Sequence, residues 1–187
     1  MRLISVDLEM CQPSNKIIQI GAVCFEPDSG KQVGIFNILI NPGEEISPFI
    51  TELTGISNDH ILNSSNIVEA ASMFTKFKED HAINSIGVVW GSALSNDIRQ
   101  IYEESATVRP FSLRVIDVKA VYQMLANTSN AEMRAKVGLG KALKNVGLDW
   151  DDKYGPPHNA LADAYNTYRI YMRLSKCLKH GFISKEV

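Results

Sequence analysis

The 187-residue sequence has few cysteines, no long apolar run and no surplus of positive charge, and each shortage excludes something. Its three cysteines, Cys11, Cys24 and Cys177, are odd in number and form no C-x-x-C pair, so neither a disulfide framework nor a thiolate zinc site is expected. No stretch reaches the roughly 20 consecutive apolar residues of a membrane span. The N-terminus runs directly into a strand pattern, with no basic segment and apolar region of the secretory kind. Both features lead to the expectation of a cytoplasmic protein without membrane association. With 19 Lys and Arg against 21 Asp and Glu, the formal net charge is −2. That excludes the broadly basic surface that grips long duplexes. It leaves room for a local contact with nucleic acid, because divalent cations held by some of the acids would reverse the sign there. No internal repeat, low-complexity tract or linker interrupts the chain, so one domain over residues 1–187 is expected.

What is present is an ordinary globular pattern, 45% hydrophobic and 21% charged, in a chain long enough to bury a sizeable core. Residues 3–9 read as a first strand, 16–25 as a second and 33–40 as a third, the last two joined by the turn cluster Pro27-Asp28-Ser29-Gly30 as an antiparallel hairpin. Met10 to Asn15 reads as a turn. After a loop region, Thr54-Gly55-Ile56-Ser57 closes a short helical turn. The spacing of Val68, Ala71, Phe74 and Phe77 predicts an amphipathic helix over 67–80. The apolar run 86–90 predicts a strand buried on both faces of a parallel sheet. A helix carrying Ile98, Ile101 and Tyr102 on one side follows, with Ser95 or Asn96 as its N-cap and Asp97 in its first turn. Residues 114–116 form a short fifth strand, and Asp117 reads as a structural N-cap for the next helix. A short helix ends at the C′ glycine Gly147. A last long helix begins after Gly155-Pro156-Pro157-His158, its apolar stripe running through Leu161, Ala164, Tyr165, Tyr168, Tyr171 and Met172.

Five residues stand out chemically. The first strand ends in Asp7 and Glu9, which alternation places on one face about 7 Å apart. Buried carboxylates of this kind need compensation, and two converging at a strand end suit a hard cation such as Mg²⁺ or Mn²⁺. Asp97 is a third acid. In His158-Asn159-Ala160-Leu161-Ala162-Asp163, five helical residues would turn by about 140° and put the histidine and the acid on different faces. His158 is therefore expected outside the helix, on an approach held extended by Pro156-Pro157, with Asn159 as N-cap and Asp163 projecting from the second turn.

Asp7 and Glu9 on the first strand, Asp97 at the start of a helix after the fourth strand, and His158 with Asp163 at a late helix resemble the DEDDh group of the DnaQ-like 3′→5′ exonucleases. The resemblance runs from Met1 to about Leu174, and Thr54-Gly55-Ile56 resembles a short motif of the same family. It implies an RNase H-like α/β domain: a mixed five-stranded sheet, strands 1–3 antiparallel and strands 4–5 parallel, with helices on both faces. It also implies metal-dependent 3′→5′ hydrolysis of single-stranded RNA or DNA from the 3′ end to nucleoside 5′-monophosphates. Proofreading members carry His-Asn-x-x-Phe-Asp where this chain has Trp90-Gly91-Ser92-Ala93-Leu94-Ser95-Asn96-Asp97, so the choice between RNA and DNA stays open.

The residue types suit that chemistry. Phosphodiester hydrolysis needs an activated water, neutralisation of growing phosphate charge and help for the leaving 3′ oxygen, which two divalent metals together supply. Asp7 is the expected bridging ligand, Glu9 and Asp163 complete one metal, and Asp97 serves the second through a water. His158 is the expected general base, a histidine's ordinary pKa of about 6.5 suiting that task. Met10 is a candidate to pack on the terminal base. The alternative is a catalytically inactive module of the same fold that binds a nucleic-acid end or a protein partner. Retention of all four acids and the histidine speaks against it.

Overall fold

The structure is a computed structural model that describes residues 1–81, 86–91, 97–106, 115–127 and 137–182. Its strands are β1 (Leu3–Met10), β2 (Ile17–Phe25), β3 (Gln32–Leu39), β4 (Ile86–Val89) and β5 (Val115–Asp117). Its helices are α1 (Pro48–Thr54), α2 (Asn58–Ile61), α3 (Ile67–His81), α4 (Asp97–Ser105), α5 (Val118–Asn127), α6 (Leu139–Asn145) and α7 (Ala160–Phe182). The strands form one five-stranded sheet in the order β3-β2-β1-β4-β5. β1, β2 and β3 pair antiparallel, while β1 with β4 and β4 with β5 pair parallel, as the expected mixed sheet requires.

Alternation along β1 and β2 divides the core. Ile4, Val6 and Leu8 of β1 face one side and pack with Phe74, Phe77, Ile98 and Ile101 of α3 and α4. Leu3 of β1 and Val23 and Phe25 of β2 face the other and pack with α5, α6 and α7 through Tyr122, Leu143 and Tyr165. Every residue of β2 is buried, since helices cover both of its faces. A third, smaller cluster of Cys11, Ile18, Ile46, Ile50, Ile56 and Ile61 holds α1 and α2 against the sheet end where β1 stops.

Several local readings need correction. Met10 belongs to β1 rather than to the following turn, because the ladder with β2 continues past a register shift between Glu9 and Met10. The loop after β3 contains two short helices, α1 and α2. α1 is capped by the Ser47 side chain, which accepts from the Ile50 N–H, and stopped by Gly55 at φ 74°. In α3 the buried stripe runs through Ala70, Ala71, Phe74 and Phe77, while Val68 is 51% exposed. Val68 sits about 120° round the helix from Phe74, off the core face. Asp117 caps α5 as read, accepting from the Ala120 N–H at 3.1 Å and also from the Gly91 N–H at 3.1 Å. The proposed caps Ser95 and Asn96 lie outside the described residues. Among those described, no helix is long and apolar enough to cross a membrane.

Candidate active site

β1 is the strand at which the chain reverses its direction of travel across the sheet, with β2 and β3 on one side and β4 and β5 on the other. Its ladder with β4 covers only Leu3 to Ser5. Asp7 and Glu9 lie beyond that ladder and face the α7 side, since they pair with Gly21 and Gln19 on the same face as Leu3 with Phe25. A crevice at the carboxyl end of a central strand, where connections diverge, is where open α/β sheets hold ligands.

Two helices bring the remaining groups there. α4 begins at Asp97. It is fastened to the β1–β2 turn by Gln100, whose Nε2 donates to the Asn15 carbonyl at 2.7 Å and to the Met10 Sδ at 3.0 Å. One turn on, the Glu104 carboxylate accepts from the Ile17 N–H at 3.1 and 3.2 Å. α7 begins at Ala160 behind the N-cap Asn159, whose Oδ1 accepts from the Leu161 and Ala162 N–H groups at 3.2 Å. His158 precedes the cap in the left-handed region at φ 64°. Its N–H donates to Asp163 Oδ2 at 3.2 Å, closing the corner. His158 thus stands outside the helix as the spacing predicts, while Asp163 falls in the first turn of α7 rather than the second.

The structure brings the five residues together. Ligand atoms of Glu9, His158 and Asp163 all lie within 4.8 Å of one another, the dimensions of a cation site. Asp7 and Asp97 join through electrostatics. Burial pushes the Asp7 carboxyl well above the ordinary range, and the charges of Asp97, Asp163 and Glu9 raise it further. Glu9, 8% exposed, is pushed up to about 8 by burial and then by Asp163 and Asp97. Burial lifts Asp97 to about 7. Asp163 rises to about 6 by burial, opposed by the His158 N–H and the imidazole. Among the described residues no Lys or Arg forms an ion pair with any of the four. Four crowded, uncompensated carboxyl groups with hard oxygen donors fit divalent cations. Met10 is placed differently, half-buried against the α3 and α4 side of the core with its Sδ engaged by Gln100.

Reading the sequence overlooked the residues of β2 that hold α7. Gln19 is 2% exposed, and its Oε1 accepts from the Ala160 N–H at 3.0 Å. A Cβ on Gly21 would lie 2.1 Å from Leu161 N and 2.2 Å from Ala160 C. The signals were a polar residue in the otherwise apolar run 17–25 and a glycine inside a strand, which marks close approach of another backbone.

A mixed sheet of this order, with strands 1 to 3 antiparallel and the last two parallel, is the RNase H-like fold. The profile of the RNase_T family, described as exonuclease, matches residues 4–171, and the chain belongs to that family, with the fold and motif order of DnaQ-like DEDDh exonucleases. Among curated proteins it is similar to the PolC-type DNA polymerase III of Lactococcus lactis, 42% identical over 65 residues that make up 35% of this chain and 4% of that protein. The PolC-type DNA polymerase III of Thermotoga petrophila is 28% identical over 173 residues, 91% of this chain and 11% of that protein. The chain thus spans about a tenth or less of the curated relatives it matches. In fold it is similar to the nuclease domain of 3'hExo, a DEDDh family member bound to rAMP, with a TM-score of 0.77 and 19% identity over 94% of this chain and 92% of that one. Exonuclease X in complex with 5′ overhanging duplex DNA superposes with a TM-score of 0.66 at 18% identity, covering 94% of this chain and 91% of that one.

Proposed function

We propose that this chain is a 3′→5′ exonuclease that removes nucleotides as 5′-monophosphates from the 3′ end of single-stranded nucleic acid, with residues 1–187 as one exonuclease domain. The observation that carries the reading is the convergence of Asp7, Glu9, Asp97 and Asp163 without a compensating Lys or Arg among the described residues, beside the exposed His158. Asp7, central to the cluster, Glu9, Asp97 and Asp163 would hold two divalent cations, Mg²⁺ or Mn²⁺. When bound, these supply Lewis-acid neutralisation of phosphate charge and activation of water.

The chain's own residues do the rest. The bond from the His158 backbone N–H to Asp163 fixes the corner, and an imidazole nitrogen of His158 lies within 4.8 Å of carboxylate oxygens of Glu9 and Asp163, beside the proposed reacting position. His158 takes the proton of the water whose oxygen attacks phosphorus as the P–O3′ bond breaks. Its corner conformation keeps the ring at the surface, where a strand end can reach it. Met10, next to Glu9 at the end of β1 and only partly covered by the α3 and α4 side of the core, is the proposed contact for the terminal base through its exposed part.

Solved structures of this fold include one bound to rAMP and one in complex with DNA, so both sugars belong in the test. Matched RNA and DNA oligonucleotides labelled at the 5′ end are digested with Mg²⁺, with Mn²⁺ and with a chelator. The expected product is a ladder shortening from the 3′ end, abolished by chelator and by Asp7→Asn. Early internal fragments would refute the exonuclease reading. His158→Ala should slow the reaction by about 10²-fold or more and change the shape of the pH–rate profile; a profile identical to that of the unaltered protein would remove His158 from its role.

A further inference from the structure

The proposed site is made of two halves, one on β1 and one on the first turn of α7, and nothing in the packing of a helix stripe on a sheet fixes where that turn stops. Apolar contacts such as those of Leu161, Ile170 and Leu174 are non-directional and tolerate small slides along the helix axis. A hydrogen bond does not, but the one that the Tyr168 hydroxyl donates to the Gly30 carbonyl of the β2–β3 turn acts about two turns beyond the start of the helix. The four N–H groups at the start of α7 show where the directional restraint lies. Asn159 takes two of them from within its own segment, and Asp163 N–H donates to the Asn159 carbonyl at 2.8 Å. The Ala160 N–H alone reaches across the fold, to Gln19 Oε1 on β2.

Gln19 is suited to define a position. It is 2% exposed, so water does not compete for its amide. Its other end is occupied, Nε2 donating to Asn37 Oδ1 on β3 at 2.9 Å. Because Ala160 N–H is a donor only, the amide oxygen must face it and the amide nitrogen must face Asn37. In the β1–β2 ladder Gln19 stands opposite Glu9, and Gly21 stands opposite Asp7. The two β2 residues that face the strand acids are therefore the same two that receive the start of α7, Gly21 by leaving room and Gln19 by the bond.

We propose that Gln19 is a positioning residue, which sets the placement of His158 and Asp163 relative to Asp7 and Glu9 and thereby the affinity of the site for divalent cations. This rests on the metal-dependent reading above. Groups behind the direct ligands of a metal typically change affinity or activity 10- to 100-fold when lost.

The test is Mn²⁺ binding to the full chain, read by calorimetry and by the spin signal of the free ion, together with hydrogen exchange at the Ala160 amide. Gln19→Met keeps the length and burial of the side chain and removes the acceptor. The expected result is faster exchange at Ala160 and a rise of about tenfold or more in the Mn²⁺ dissociation constant, with far-UV circular dichroism unchanged. Asn37→Ala, which frees the amide without removing the acceptor, should give a smaller rise. Should Gln19→Met not fold, Gln19→Asn withdraws the acceptor by one methylene and is read in the same way. Unchanged Mn²⁺ affinity with an exposed Ala160 amide overturns the proposal, leaving Gln19 a satisfied core amide. Failure of the unaltered protein to bind Mn²⁺ overturns both this proposal and the reading it rests on, and that arm tells the two failures apart.

Discussion

Two helices carry acids to the end of β1, and they are held there by different means. α7 is 23 residues long, with Leu161, Ala164, Tyr165 and Tyr168 buried, and its start is tied to a glutamine in the dry interior of the sheet. α4 is nine residues long, buries Ile98, Ile101 and Tyr102, and is tied by Gln100 to the exposed Asn15 carbonyl and by Glu104 to the Ile17 N–H at the start of β2. The long helix has ample apolar area and needs only a directional stop. The short one has less burial and is located by side-chain bonds spaced along its length. Water competes for the Gln100–Asn15 bond but not for Gln19, so disturbing the α7 anchor should cost more than disturbing that one.

Gly21→Ala should have the largest effect. The added methyl would meet backbone at 2.1 Å, and only movement of the α7 start relieves that. Overpacking of this kind costs about 1–3 kcal/mol. A displacement near 1 Å at the reacting groups can cost about 10²-fold in rate, so nuclease assays should show a loss of that order in a protein that still melts cooperatively. Full activity in Gly21→Ala would mean that the two halves tolerate slippage.

A second test sharpens the electrostatic side of the comparison. Glu9 near 8, Asp97 near 7 and Asp163 near 6 all titrate in the fold above the ordinary carboxyl range. Between about pH 4 and pH 8 the folded protein therefore binds more protons than the unfolded chain, and stability falls as pH rises. Thermal melts in chelator should show Tm decreasing over that window, and Mn²⁺ should restore it at pH 8. Asp7→Asn should raise the metal-free Tm at pH 8 by a few °C, on the scale of about 2–4 °C per kcal/mol for a chain of this size. A metal-free Tm that climbs from pH 5 to pH 8 would contradict the crowding of the four acids.

Gln100→Ala should have the smallest effect, a rate loss of a few-fold, because it removes one exposed bond and one weak bond to sulfur while Glu104 still holds α4. A larger loss than Gln19→Met produces would reverse the ranking and make α4 the critical placement.

Much of this architecture was legible beforehand. Alternation identified the strands, and the apolar run 86–90 marked a strand buried on both faces, because a doubly covered strand has no solvent side to keep polar. That His158 stands outside the helix followed from spacing, since a helix cannot bring residues five apart to one face; its left-handed turn, where an extended approach was expected, did not. Asn159 and Asp117 were readable as caps because capping is a local competition for N–H groups. Val68 misled because a three-residue step alone does not say which of two adjacent stripes is buried. The end of α1 was readable at Gly55, while its start and the whole of α2 were not, because each helix is too short for an apolar period to repeat. Met10 could not be placed from sequence, since the register shift that keeps it in β1 arises from pairing with β2.

The chemistry-bearing residues and their order are properties of the sequence alone: Asp7 and Glu9 share a face because a strand has a period of two, and His158 leaves the helix because of its spacing from Asp163. What only the tertiary structure decided is that these pieces meet. Gly21 and Gln19 look like a strand glycine and a polar interruption until α7 lies across them, because a close backbone approach and an unpaired N–H in need of a buried acceptor exist only between elements 141 residues apart. The raised carboxyl groups belong to the same level, since neither desolvation nor repulsion acts on these acids until folding has buried them together.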